Sequence, residues 1–397
     1  MTIFRTVSFG VRFMVVAALV LLMGIPAIFV SSLVEERSAR AKQVEREVGF
    51  AAGGPQTFAG PLLAIPYSTS KGERGTYFIS PTRFDAHVAT VTELRHRSLF
   101  KVPVYQSDIA LNASFDLTGS ATVVSDSILE WSKAELVVGA TDPKGAIADA
   151  TLATAGATST MVPSSAVETH LGEGEDALYF FGVPTGSDVH SGAKFDVAVK
   201  MKFSGAERIA VLATGKSSAV DARGDWPNPS FDGGFLPAKR AVSKDGFEAQ
   251  WTVPFIARGV HAEGDIDLAK QLQRTSMGVS FVQLADPYQA VTRSVKYALL
   301  FIGLTFLTYF LFETRTGKRV HPAQYLLIGL AQIVFYLLLL SFAERIGFDW
   351  GFAVAAVATV ALISNYAGWV FASRKQAVVA GVVFSCLYVL IYFLLRL

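Results

Sequence analysis

Five long stretches without a single charge set the limits on what this chain can fold into. They are Phe13–Val34, Tyr297–Phe312, Tyr325–Phe342, Trp350–Phe371 and Ala377–Leu395. At 1.5 Å per residue, about twenty apolar residues in a helix cross the ~30 Å hydrocarbon core of a bilayer. Inside that core every backbone N–H and C=O must be satisfied within the protein, which restricts spanning elements to helices and closed barrels. Runs of this length therefore read as transmembrane helices, 13–34, 297–312, 325–342, 350–371 and 377–395.

The first run exceeds the ~7–15 apolar residues of a cleaved signal peptide, so it reads as a retained anchor. Arg5 and Arg12 precede it. By the positive-inside rule, residues 1–12 are then cytoplasmic and the chain emerges on the far side, the periplasm of a bacterial inner (plasma) membrane protein. The short clusters Arg315, Lys318, Arg319 and Arg374, Lys375 fall on the cytoplasmic side in this arrangement, and Glu344–Asp349 on the other. Arg293 and Lys296 border a long exported segment, where the rule has little force.

Between anchor and bundle the composition changes twice. Residues 35–52 are charged, yet Ala41, Val44 and Val48 keep helical spacing and Glu36 sits four residues before Arg40, as expected of a stalk helix continuing the anchor. Gly53, Gly54 and Pro55 end it. From 53 to about 290 the sequence reads as short β-branched and aromatic runs bounded by Gly, Pro, Asp and Ser. In Phe195–Phe203, the odd positions Phe195, Val197, Val199, Met201 and Phe203 alternate with Asp196, Ala198, Lys200 and Lys202, the period of a strand with one wet face. The expected fold is an α-helical membrane bundle plus a large, mostly antiparallel β region of one or two domains.

Composition excludes several functions. A formal charge of +2 over 397 residues offers no basic surface for nucleic acid. With Cys386 alone there is no intramolecular disulfide and no cysteine-based zinc site. His87, His96, His170, His190, His261 and His321 lack ligand spacing, and no metal or cofactor is called for. Ser68 with Lys71 and Ser191 with Lys194 fit Ser-x-x-Lys, but both pairs lie in Gly/Ser-rich sequence rather than at a helix start. Glu263, Asp265 and Asp267 alternate like part of a calcium loop whose glycine and distant glutamate are out of register.

Two constellations remain as candidate sites. Gly224–Trp251 packs Trp226, Phe231, Phe235, Phe247 and Trp251 among prolines and glycines, beside Asp225, Lys239 and Arg240. Pro227, Pro229 and Pro237 fix φ and remove donors, so its first half is expected to be a shaped loop rather than a strand. Its aromatics either fill a core or form an exposed platform, with Lys239 and Arg240, for an anionic lipid, a glycan or an envelope protein. The second constellation is Glu313, Arg319, His321, Gln324 and Tyr325 at the cytoplasmic boundary, with Pro322 placed to open a helix. Those charges either snorkel at the membrane surface or meet a headgroup or partner.

The loop Asp225–Arg240 (DWPNPSFDGGFLPAKR), the early Gly54–Pro66 (GPQTFAGPLLAIP), Tyr297–Thr314 and Arg319–Phe348 together resemble the CreD family of bacterial inner-membrane, cell-envelope integrity proteins. That resemblance spans nearly the whole chain. It implies a periplasmic β-rich domain held by one amino-terminal span and a carboxyl-terminal multispan bundle. It also implies association with a two-component envelope response, colicin tolerance and, in some bacteria, β-lactam resistance, and brings no catalytic residues. Family members usually continue past the point matching Leu397 with another span and a polar tail. Three functions stay open: a non-enzymatic envelope component binding a periplasmic or membrane ligand or partner, a transporter, and a membrane-bound enzyme acting on envelope polymer or lipid.

Overall fold

The computed structural model describes residues 9–97, 100–120, 127–154, 157–167, 170–171, 177–186, 189–282, 287–316 and 320–396. The chain divides into two compact units, Met1–Gln43 with Leu284–Leu397, and Val44–Gln283.

The first unit is helical. Helix α1 (Phe9–Leu22) breaks at Met23 and resumes as α2 (Gly24–Ala51). Pro26 explains the break, because it has no N–H for the Leu22 carbonyl and its ring crowds that same carbonyl four residues back. Met23 at the break is buried. A Cβ on Gly329 would lie 2.6 Å from Met23 Sδ, so a larger residue there would require the methionine side chain to shift.

Later in the sequence this unit contains four long helices, and among the described residues the chain has five helical segments long and apolar enough to cross a membrane. A β region lies between the first of these segments and the other four. Its strands are β1 (Gln56–Thr69), β2 (Arg74–Ile79), β3 (Arg83–Arg97), β4 (Phe100–Asp116), β5 (Ser127–Leu129), β6 (Glu135–Ala140), β7 (Thr151–Thr154), β8 (Ala157–Thr160), β9 (Val162–Pro163), β10 (Tyr179–Pro184), β11 (Lys194–Ala206), β12 (Arg208–Leu212), β13 (Ser217–Gly224), β14 (Pro229–Gly233), β15 (Lys239–Ser243), β16 (Gly246–Val253), β17 (Glu263–Gly264) and β18 (Ser276–Phe281). Short helices α3 (Phe255–Arg258) and α4 (Ile266–Leu272) interrupt them.

These strands form two sheets. One runs β14-β18-β12-β1-β6-β10-β9, with β2, β5 and β17 attached to its side. The other runs β15-β16-β13-β3-β4-β11-β7-β8. Among the described residues, only β1 with β12 and β3 with β13 pair in parallel. The expected mixture of a helical membrane bundle with mostly antiparallel β structure is what the chain forms.

Burial separates the sheets. A main core joins Phe58, Leu63, Val138 and Val211 of the first sheet to Ile109, Leu111, Val199, Phe203 and Trp251 of the second. The first sheet buries its other face as well, where Ala59, Leu62, Phe78, Val137 and Phe180 meet Leu268 and Leu272 of α4. Strand β1 therefore reads as a continuous apolar run, as strands buried on both faces do. In the second sheet, β11 and β16 alternate buried and open positions, leaving one face to water.

A buried guanidinium ties the loops at one edge. Arg258 Nη1 donates to Ser80 Oγ (3.1 Å), Thr214 O (2.6 Å) and Gly215 O (3.2 Å), and Nη2 donates to Val260 O (3.0 Å) and His261 O. Burial pushes its pKa down to about 10, and these carbonyls replace the water it has lost. Asp265 accepts from Asp267 N and caps α4, which is the role the Glu263–Asp267 alternation serves.

After the β region come α5 (Pro287–Lys296), α6 (Ala298–Thr316), α7 (Pro322–Ile346), α8 (Phe348–Val370) and α9 (Arg374–Arg396). Helix α5 was not foreseen. Its Tyr288, Val291, Ser294 and Val295 form one buried face while Arg293 and Lys296 stay exposed. The outward positions of the long helices carry Leu300, Leu327, Trp350, Val357, Val382 and Phe393, all well exposed. So much exposed apolar surface belongs in lipid.

Candidate functional site

In Gly224–Trp251 the aromatics turn inward. Asp225 accepts hydrogen bonds from Thr92 N (2.9 and 3.1 Å) and Thr92 Oγ1 (2.7 Å), pinning the segment to β3. Trp226 is buried, and its indole N–H donates to Asn228 O (3.1 Å) and Val282 O (3.2 Å). Trp251 is 2% exposed and donates to Phe235 O at 3.1 Å. Phe231 lies 6.1 Å from the Phe247 ring and 6.0 Å from that of Trp251. Phe235 is half-buried against the same core.

The expectation of a loop through the first half needs correcting. Pro229–Gly233 forms β14, which pairs antiparallel with β18. It does so at the edge of the sheet and begins with its proline, the two circumstances in which proline suits a strand. Asp232 then bridges three strands, accepting from Arg208 Nε (2.7 Å) and from Ser280 Oγ. Of the seven residues singled out in this stretch, Asp225, Trp226, Phe231, Phe235 and Trp251 hold it in place. Lys239 and Arg240 are exposed on β15.

At the other constellation, the structure brings three residues together. Glu313 lies in α6, 7% exposed, and accepts from Tyr325 Oη at 2.8 Å. Arg12 Nη1 of α1 is 3.9 Å from its other oxygen. The expected surface position of Glu313 is thus a buried one, because α6 continues past Phe312 to Thr316. His321 and Gln324 have a separate task. His321 Nδ1 accepts from Ala323 N and the Gln324 side chain accepts from His321 N, a reciprocal cap on α7 with Pro322 at its first position. Arg319 lies outside the described residues.

A third arrangement was invisible in the sequence. On the open face of the second sheet, Lys239, Gln250, Asp221, His87, Ala110, Lys200 and Thr151 lie directly opposite one another on successive strands. A parallel row holds Glu248, Arg223, Ala89, Asp108 and Lys202. Residues opposite in a ladder share a face, so both rows point the same way. Ala89 and Ala110 leave a dip between longer neighbours, and Ala148 and Asp149 form a wall beside it. The resulting cavity is about 660 Å³.

Charge in this groove is mixed. Lys202 Nζ pairs with Asp108 at 3.0 Å and His87 Nδ1 lies 3.4 Å from Asp221. Lys200, Arg223, Glu248 and Asp149 carry no ion pair among the described residues. The groove can therefore offer two cations and two carboxylates to a ligand within one depression. Its lining contains no Trp, Tyr or Phe.

Neither Ser-x-x-Lys pair opens a helix. Ser68 lies within β1, and Lys194 Nζ is 2.7 Å from Asp116. That lysine's hydrogen bond, with those of Thr118, holds the Asp116 carboxyl well below the usual carboxylate range.

Comparison with known proteins gives two matches. The profile of the family described as "Inner membrane protein CreD" matches residues 8–397. The Inner membrane protein CreD of Escherichia coli (strain K12) is 31% identical over 352 residues, covering 85% of this chain and 76% of that relative.

Proposed function

Since the chain belongs to the CreD family of inner membrane proteins, we propose that it is a non-enzymatic component supporting the cell envelope. Its amino terminus is cytoplasmic, Val44–Gln283 is periplasmic, and the open face of the second sheet receives an envelope ligand or partner. Orientation is supported by charge: Arg12 begins the first span, Arg315 ends α6, and Arg374 and Lys375 begin α9, while the α7–α8 turn holds one cation, Arg345, between Glu344 and Asp349.

The observation that carries the binding reading is the groove of about 660 Å³ with Lys200, Arg223, Glu248 and Asp149 around it. A fully paired sheet face would be an ordinary wet surface. Here four charges without ion pairs converge on a walled depression, and a ligand of matching polarity would gain charge-assisted hydrogen bonds.

The test is reversal of both cations, Lys200→Glu with Arg223→Glu, in a strain lacking its own copy. Envelope resistance to detergent should fall to that of the deletion strain while the strand signal in circular dichroism is unchanged. Full resistance with reversed charges would remove the groove from the function.

A further inference from the structure

Granted that the groove on the second sheet is the binding face, its charge pattern names the class of ligand it takes. Strands β13, β3, β4 and β11 are consecutive neighbours. Arg223 on β13 and Lys200 on β11 are therefore three strand spacings apart, in rows offset by two residues along the strands. At ~4.8 Å per spacing and ~3.4 Å per residue, the two cations are rooted ~16 Å from each other.

Each cation stands beside an exposed carboxylate. Glu248 lies directly opposite Arg223, and Asp149 comes two residues before Thr151, which lies opposite Lys200. Among the described residues neither cation closes an ion pair with that neighbour. Between the two ends Ala89 and Ala110 keep the floor low, and the other charged groups face each other, Lys202 with Asp108 and His87 with Asp221.

A matching ligand is ~16 Å long and carries both signs at both ends. A polyanion would meet a carboxylate beside each cation, and a sugar would find no aromatic ring to stack on. An apolar chain would displace water from four charges without replacing it. We propose that the groove binds a short extended peptide with free termini, acidic at its first residue and basic at its last. About five residues at ~3.4 Å each give the length. The first residue presents an ammonium beside a carboxylate, and the last a carboxylate beside a cation. Each end can thus make two charge-assisted contacts with the cation and carboxylate that face it.

Calorimetric titration of the full chain in detergent with two synthetic peptides tests this. Glu-Ala-Ala-Ala-Lys has both signs at each end. Lys-Ala-Ala-Ala-Glu has the same composition, length and net charge, but gathers its positive charges at one end and its negative charges at the other. The first should bind about tenfold more tightly, equivalent to ~1.4 kcal/mol, and acetylating and amidating its ends should remove that advantage. Arg223→Gln, which alters one end alone, should halve the difference in free energy and leave a preference of about threefold. Equal affinities in the wild-type chain, no binding of either peptide, or a preference unchanged by Arg223→Gln would each overturn the peptide assignment. The two peptides are compared on the wild-type chain, so a folding failure of the variant leaves that comparison intact. If the peptides fail while charge reversal at Lys200 and Arg223 still lowers envelope resistance, the groove serves another ligand; full resistance after reversal strikes the groove itself.

Discussion

Replacing Trp251 with Ala separates a structural from a recognition role for the aromatic stretch. The side chain is 2% exposed and its indole donates to Phe235 O. Burying ~200 Å² of indole at ~25 cal/mol per Å² is worth ~5 kcal/mol. Measured Trp→Ala losses in cores run ~3–5 kcal/mol, and the orphaned Phe235 carbonyl adds ~1 kcal/mol or more. For a β region of this size each kcal/mol moves the melting temperature by ~2–4 °C, so Trp251→Ala should lower it by ~8–24 °C. Trp251→Phe, which keeps most of the apolar area, should lose well under half of that. Lys239→Ala with Arg240→Ala, both exposed, should stay within ~0.5 kcal/mol of wild type. The assay is thermal unfolding of the full chain in detergent, followed by the strand signal in circular dichroism. If Trp251→Ala melted at the wild-type temperature yet abolished envelope protection, the stretch would be a recognition surface and the packing argument would be wrong.

Two other outcomes follow from single groups and a third from the proposed orientation. Burial, reinforced by Glu263 and Asp265, pushes the Tyr77 phenol up to about 12. A raised folded pKa gives stability that is whole below the unfolded value near 10 and is lost as pH climbs toward 12, so alkaline titration should destabilise wild type more than Tyr77→Phe. Glu313→Ala should cost ~1–2 kcal/mol of bundle stability by orphaning Tyr325, and Glu313→Gln, which still accepts that hydroxyl, should cost less. In a Cys386→Ser background, an impermeant maleimide should label Lys244→Cys in spheroplasts and should reach Ser373→Cys only after permeabilisation; the reverse pattern would invert the proposed orientation.

What was legible in the sequence depended on how local its cause was. Apolar runs declared the helices because lipid imposes length and composition on each helix separately. The alternation of Phe195–Phe203 declared β11 because one face of its sheet is wet. Pro26 carried enough information to place the break at Met23, since the conflict lies with the carbonyl four residues before it. Strand β14 was hidden by Pro229, whose fit depends on the strand being at an edge. Helix α5 did carry a signal: Tyr288, Val291 and Val295 stand at helical spacing, diluted by Gln, Thr, Arg and Ser between them.

The groove had no local signature at all. His87, Asp108, Asp149, Lys200, Arg223 and Glu248 come from six separate segments; the registers of five neighbouring strands bring all but Asp149 to one face, and the segment before β7 sets Asp149 beside them. Each reads singly as an ordinary polar position on a wet strand. The aromatic stretch, by contrast, was conspicuous in sequence because it must satisfy two indoles, three prolines and a sheet edge within one short segment.

The most direct test of the binding face is a photo-activated benzophenone amino acid at Ala110, on the groove floor, compared with one at Val242, exposed on β15. In living cells, a discrete envelope adduct should form from position 110, vanish on adding Lys200→Glu with Arg223→Glu, and be absent from position 242. No adduct at 110, or the same adduct from both positions, would contradict the account.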